Sequence, residues 1–255
     1  MTTLVRPFVH RPHASMRLLC LPHAGGGASA YRGWATELPD GIELWAVQPP
    51  GREDRVMTPP LDHMDDLLNI LVPAVVPLLD RPFALFGHSM GAVVAWELAR
   101  ALQQLEAGSP VRLFVSGSVP PQIREVPERP LHALSDDELC DRLREWGATP
   151  EAVLADPELM ALFLPVIRAD LAVVESRVHR SEPLLTCPVT AYGGTEDGSV
   201  GSDVLARWGE VTTGPSDCRM FPGDHFFPHS ARSAVLADIT DRLGADSHYG
   251  KAGTA

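Results

Sequence analysis

Lysine is almost missing from this sequence: of 21 basic residues, Lys251 is the only one that is not arginine. The bias reads as GC-rich coding rather than a function that needs arginine. Positive charge is also outnumbered, leaving a formal net charge of −12. That balance argues against nucleic acid as the main partner, because a phosphate backbone is repelled unless a local basic face exists. The four cysteines, Cys20, Cys140, Cys187 and Cys218, are far apart and form no C-x-x-C pair. Neither a disulfide framework nor a zinc site is therefore expected, and a reducing cytoplasm fits best. Long apolar runs are lacking as well. The most apolar stretch, Leu67 to Leu79, is broken by Asn69, Pro73 and Pro77, and Leu18-Leu19-Cys20-Leu21 is too short for a signal core. No membrane span and no secretion signal are expected.

What is present is enough apolar residue, 45% of 255, to fill one core with an insertion. Short apolar runs at Arg17–Leu21, Leu44–Val47, Phe83–Phe86, Leu113–Val115 and Val189–Tyr192 read as strands, with a late one at Cys218–Phe221. Helical patterns cover Ser29–Leu38, Asp65–Leu79, Ala92–Leu105, Val200–Trp208 and Ser230–Leu243, the second kinked by its prolines. This alternation predicts an α/β fold, a mostly parallel sheet with helices on both faces and its chemistry at the carboxyl ends of the strands. The interval 119–188 breaks the rhythm. It opens on "VPPQIREVPERP" and continues as helices over Asp136–Trp146, Pro150–Leu154 and Pro157–Val174, which predicts a helical lid inserted between two strands. Leu159, Met160, Phe163, Leu164 and Ile167 lie at helical spacing there; such a stripe packs lid helices together or lines an acyl channel, for which Leu159, Met160 and Phe163 are the candidates. Residues 244–255 have the small polar composition of a disordered tail.

The chemistry begins at "FGHSMG", residues 86–91. A G-x-S-x-G between a strand and a helix forces its central residue into an unfavourable backbone conformation and lifts the hydroxyl clear of the sheet. Ser89 is therefore the candidate nucleophile, and the Met90 amide points where an oxyanion would form. A serine hydroxyl needs a base, and the base an orienting carboxylate, in the chain order Ser, acid, His. His225 in "FPGDHFF" follows the last short strand and is the expected base; His229 and His248 are its rivals. An H-x-x-x-H metal pair is disfavoured by Pro228 and by the lack of an intervening glutamate. For the acid, "GGTEDG" after the strand ending at Tyr192 offers Asp197 and Glu196. The glycine-rich loop "LPHAGGGASAY" offers the second oxyanion amide, from Ala24 or Gly25. Phosphate binding by that loop is a weak reading, since no G-K-[ST] follows.

Taken in order from Arg17 to Leu243, "LCLPHAGGGASAYRGW", "LWAVQPPGREDR", "FALFGHSMGAVVAWELAR", "YGGTEDGSV" and "FPGDHFF" resemble the type II thioesterases that accompany modular polyketide synthases and nonribosomal peptide synthetases. The resemblance implies an α/β-hydrolase with a helical lid, acting on acyl thioesters held on the phosphopantetheine arm of carrier proteins and clearing stalled or misprimed short chains. It implies Ser89 as nucleophile, His225 as base, Asp197 as orienting acid, and Met90 with Ala24 as oxyanion donors, with no metal or cofactor of its own. One departure is Gly198, where the family pattern has proline. A carboxylester hydrolase or a chain-releasing thioesterase is the alternative; the absence of a carrier domain ahead of residue 17 counts against release. Carrier proteins are acidic, so docking is expected to use a local patch drawn from Arg124, Arg129, Arg168, Arg177 and Arg180.

Overall fold

In a computed structural model of the protein, residues 3–124, 128–147, 149, 151–177 and 183–249 are described. Among them seven strands form one sheet: β1 (Val5–Pro7), β2 (Met16–Leu21), β3 (Ile42–Val47), β4 (Phe83–His88), β5 (Leu113–Ser116), β6 (Val189–Gly194) and β7 (Ser216–Phe221), in spatial order β1-β3-β2-β4-β5-β6-β7. All neighbours are parallel except β1, which runs antiparallel to β3 with Val5 opposite Val47. The six strands read from the sequence are all there. β1 was not expected: three residues are too few for a pattern, and its Pro7 is tolerated because the strand lies at the sheet's edge.

The helices are α1 (Arg32–Glu37), α2 (Met64–Val75), α3 (Met90–Gln104), α4 (Asp136–Trp146), α5 (Glu151–Leu154), α6 (Pro157–Glu175), α7 (Ser202–Ala206), α8 (Phe227–Ser230) and α9 (Arg232–Tyr249). Several expected helices are divided. α1 is preceded by a 3-10 turn at Ala28–Tyr31, and α2 gives way to one at Val76–Leu78, where Pro77 follows the internal Pro73 and removes a second backbone donor. α9 runs on to Tyr249, and Asp246 accepts hydrogen bonds of 2.7 and 2.9 Å from Arg112. The first six residues of the expected tail are thus helical, and residues 250–255 lie outside the described ones.

Successive side chains of a strand point to opposite faces, and β2 divides accordingly. Leu18 and Cys20 join Trp34 of α1, Phe86, Phe114 and, from α9, Val235 and Ile239. Leu19 and Leu21 join Leu71 of α2, Val93, Leu98 and Leu102 of α3, and Leu205 of α7. Every side chain of β2 and β4 is buried, as a strand covered on both faces requires. Each fully buried leucine or phenylalanine stabilises the fold by about 1.5–3 kcal/mol.

Between β5 and β6 the chain leaves the sheet and builds a smaller core from Leu139, Leu143, Leu154, Met160, Leu164, Ile167 and Leu171. α4 starts with a capping box, in which Ser135 Oγ accepts from the Glu138 amide while the Glu138 carboxylate accepts from the Ser135 amide. α6 starts with Asp156 accepting from the amides of Glu158 and Leu159, with Pro157 at its first position. Val173 and Val174, at the end of α6, pack into the main core, so this lid is anchored to the sheet layer at its carboxyl end.

Strand order fixes where a site can form. β3 lies on one side of β2 and β4 on the other, so the loops leaving β2 and β4 diverge at the carboxyl edge and open a crevice between them. In that register Leu21 faces Gly87, Gly87 faces Val115, His88 faces Ser116, and Gly194 faces Phe221. Residues a few positions beyond each strand therefore converge.

Candidate active site

Ser89 is the single residue between β4 and α3, with φ 55° and ψ −116°. Its amide donates to the Ser116 carbonyl at 2.8 Å, which pins the turn to β5. The flanking glycines have a steric reason. A Cβ on Gly87 would collide with the Gly91 carbonyl, and one on Gly91 with the Leu21 carbonyl of β2. Strand, turn and helix thus pack too closely for any side chain at either position.

Asp197 lies three residues past β6 and His225 four past β7. His225 Nδ1 and Asp197 Oδ2 are 2.8 Å apart; because a carboxylate accepts, Nδ1 carries the proton and Nε2 is left as the free base. Asp197 also accepts from the Ser199 amide at 3.0 Å and from the Ser199 hydroxyl. Burial pushes the Asp197 carboxyl up, but the hydrogen bonds from His225 and Ser199 outweigh it and hold its pKa below the usual carboxylate value. Glu196, its rival in the sequence, points to solvent, while its amide continues the ladder by donating to Gly223 at 2.9 Å. A Cβ at Gly198 would meet nothing within 4 Å, so the departure from proline there answers no steric demand.

Ser89, His225, Met90 and Ala24 line one cavity of about 200 Å³, together with His23, Arg124, Trp146, Ile167, Leu171, Val174 and Phe226 among others. Met90 is the first residue of α3, where helical amides have no partner within the helix. In the β2 loop, the Gly25 amide is committed to Asp170 Oδ2 at 2.7 Å. Of the two loop amides weighed from the sequence, Gly25's is thus engaged elsewhere, and Ala24 lines the cavity with Met90. The arrangement supplies a raised hydroxyl, an oriented imidazole and two candidate donors around one void.

Histidines cluster about His23 and His225, which line this void. His88, beside the serine, is buried with Nδ1 3.1 Å from Ser116 Oγ and no partner for Nε2, and its ring lies 5.0 Å from that of His225. Loss of hydration, then the neighbouring imidazoles, hold its pKa well below the usual histidine value. The same causes and the Arg52 guanidinium lower His23 to about 4. His229, the rival base, is edge-on to His23 and stacked with Phe226. His248 lies far along α9.

The expected channel residues are elsewhere. Leu159 and Phe163 are exposed, and Met160 is buried inside the lid's own core. The wall facing Ser89 is built one to three turns further along α6, from Ile167, Leu171 and Val174. The expected arginine patch is likewise engaged with the protein. Arg129 pairs with Glu138, Arg168 with Asp136 and two carbonyls, and Arg177 with Glu97 while stacking on Trp96. Arg124 lines the cavity, donating to Ser118 Oγ; Arg180 lies outside the described residues. Among the described residues, no helix is long and apolar enough to cross a membrane.

Comparison with known proteins bears on this geometry. Residues 16–243 match the family model described as "Thioesterase domain". The chain is 41% identical over 230 residues to the gramicidin S biosynthesis protein GrsT of Aneurinibacillus migulanus, covering 90% of each. It is 38% identical over 240 residues to the thioesterase PikA5 of Streptomyces venezuelae, covering 94% of this chain and 85% of that one. Among solved structures, the type II thioesterase BorB from the borrelidin biosynthetic cluster superimposes with a TM-score of 0.86 at 37% identity, over 95% of this chain and 99% of that one.

Proposed function

From the membership of this chain in the thioesterase family, hydrolases of acyl thioesters on the α/β-hydrolase fold, we propose that it clears acyl groups from the phosphopantetheine arms of carrier proteins in a polyketide or nonribosomal peptide assembly line. The observation that carries the reading is that His225, hydrogen-bonded to Asp197, lines the same cavity as the raised Ser89. GrsT and PikA5, which the chain matches over most of its length, support the setting.

The proposed sequence of steps follows from the groups in place. His225 Nε2 takes the Ser89 proton as Oγ attacks the thioester carbonyl, and Asp197 steadies the imidazolium through Nδ1–H. The carbonyl oxygen becomes an oxyanion received by the Ala24 and Met90 amides, which need no reorganisation as charge develops. The C–S bond breaks and the pantetheine sulfur departs; a thiol ionises near pKa ~8.5, so it leaves with little help from an acid. The sulfur carries off the proton held by His225; the imidazole, neutral again, takes a proton from water as that water attacks the Ser89 ester, and returns it to Ser89 Oγ as the carboxylic acid is released. Removal of stalled or misprimed acyl chains is the role such turnover serves.

The test is mass spectrometry of acetyl- and propionyl-loaded carrier proteins incubated with the enzyme. Wild type is expected to remove the acyl mass and leave the pantetheine arm, and Ser89→Ala to lose at least ~10³-fold of that rate. Untouched carriers alongside hydrolysis of simple esters would move the function to a carboxylester hydrolase.

A further inference from the structure

Asp170 is the only carboxylate in the apolar stretch from Leu159 to Val174, and it is turned inward. Its side chain is 5% exposed and that of its partner Arg52 8%. The contact is bidentate: Arg52 Nη2 reaches Asp170 Oδ1 at 2.7 Å and Nη1 pairs with Oδ2. Arg52 Nη1 also donates to the Gly26 carbonyl and Nε to the Pro50 carbonyl, both at 3.1 Å. Asp170 Oδ2 in turn accepts the Gly25 amide at 2.7 Å. One ion pair thus joins three segments: lid helix α6, the turn after β3, and the glycine loop after β2.

Stability alone does not account for such a pair. Taking two charges out of water costs several kcal/mol per ion, and well-packed apolar residues of similar volume often serve as well or better. What an apolar pair cannot do is accept the Gly25 amide. Gly25 has φ 77°, and a Cβ there would press on Ile167 of α6 at 3.1 Å, so the loop is seated directly on the lid helix.

We propose that Asp170, held by Arg52, is the positioning residue of the oxyanion hole: by fixing the Ala24–Gly25 peptide it aims the Ala24 amide into the cavity, so that the hole is complete only when α6 is seated. This rests on the catalytic reading above. Asp170 touches no reacting atom; it acts through the loop.

The test uses a small soluble acyl thioester, so that carrier docking plays no part, and a trifluoromethyl ketone analogue that becomes an oxyanion on Ser89. Removing one partner alone would strand a buried charge, so paired variants are compared. In Arg52→Met/Asp170→Leu the charges and the acceptor are both gone; in Arg52→Met/Asp170→Asn the amide oxygen can still accept from Gly25. The Leu pair is expected to lose about 10²-fold in kcat with KM little changed, as loss of one oxyanion donor does, and to lose ketone affinity by a similar factor. The Asn pair is expected to recover at least ~10-fold of both. Equal rates in the two pairs, or a folded Leu pair with wild-type kcat, would overturn the proposal. A second measurement needs no variant: in the wild type, the Gly25 amide should exchange with deuterium at least ~100-fold more slowly than the Ala24 amide, and equal rates would also overturn it. Thioester turnover that survives Ser89→Ala would instead remove the nucleophile reading on which the proposal stands, and is distinguished by that control.

Discussion

At the scale of single residues the main tension sits in Ser89. A non-glycine residue at φ 55° and ψ −116° carries strain of order 1–3 kcal/mol, held by the surrounding packing. Glycine escapes that strain because it has no Cβ. Ser89→Gly is therefore expected to be more stable than Ser89→Ala by about 1 kcal/mol, or a Tm higher by ~2–4 °C, with both variants inactive. Thermal melts check this; an alanine variant that is as stable would mean that the turn is unstrained. The serine and His225 were legible because each is announced by its neighbours in the chain, a glycine frame in one case and a post-strand loop in the other. The choice of Asp197 over Glu196 rested on the family resemblance and not on local pattern, since adjacent residues point to opposite sides and only the ladder beyond β6 and β7 decides which side faces the imidazole. Arg52 and Asp170 lie 118 positions apart, and no local pattern pairs them. The one available signal was a lone acid in an otherwise apolar helix face.

At the scale of elements, α6 shows why the channel was misplaced. Its sequence is apolar nearly all round, with Leu159, Leu162 and Phe163 outward and Met160, Leu164, Ile167 and Leu171 inward. Adjacent stripes of one helix share the same spacing, so periodicity announces the helix without saying which stripe meets the cavity. The rotation is read instead from Asp170, which is turned inward onto Arg52. Val174→Ala, which removes two methyl groups from the cavity wall, is expected to raise turnover of longer acyl chains relative to acetyl by several-fold at a stability cost of roughly 1–2 kcal/mol. Phe163→Ala is expected to change neither. Competition assays with acyl thioesters of increasing length check both; a preference shifted by Phe163→Ala and not by Val174→Ala would return the channel to the outer stripe.

At the scale of the whole molecule, the inner parallel strands β2 to β6 were legible because buried strands read as short apolar runs, whereas the largely exposed β7 showed only in part and β1 draws its conformation from β3 rather than from its own residues. Tertiary packing also creates the acid sensitivity of the fold. His23, His88 and His229 all have pKa values lowered by loss of hydration, His23 to about 4, while unfolded histidine titrates near 6.5. Between those limits the unfolded chain binds more protons than the folded one, so the free energy of unfolding rises with pH. Their contribution is complete above about pH 6.5 and declines as pH falls towards 4. Asp197 acts in the same direction lower down: its depressed carboxyl pKa contributes stability above the unfolded value that is lost as pH falls through the folded one. Urea midpoints measured from pH 7.5 downward should therefore begin to fall near pH ~6.5, and His23→Gln should lessen the slope by about one proton. A midpoint that stays level until the carboxylates titrate would contradict this.

β5 and β6 are neighbours in the sheet, with Ser116 opposite Tyr192, although the whole lid lies between them in the chain. The lid therefore leaves and re-enters the sheet through adjacent strands, and a chimera could exchange it for a relative's without disturbing the register of Ser89, Asp197 and His225. Such a transplant carries an electrostatic compatibility requirement. A donor lid without a carboxylate at the place of Asp170 would strand the host's Arg52, and a host without Arg52 would strand the donor's acid, so the two positions have to be grafted together.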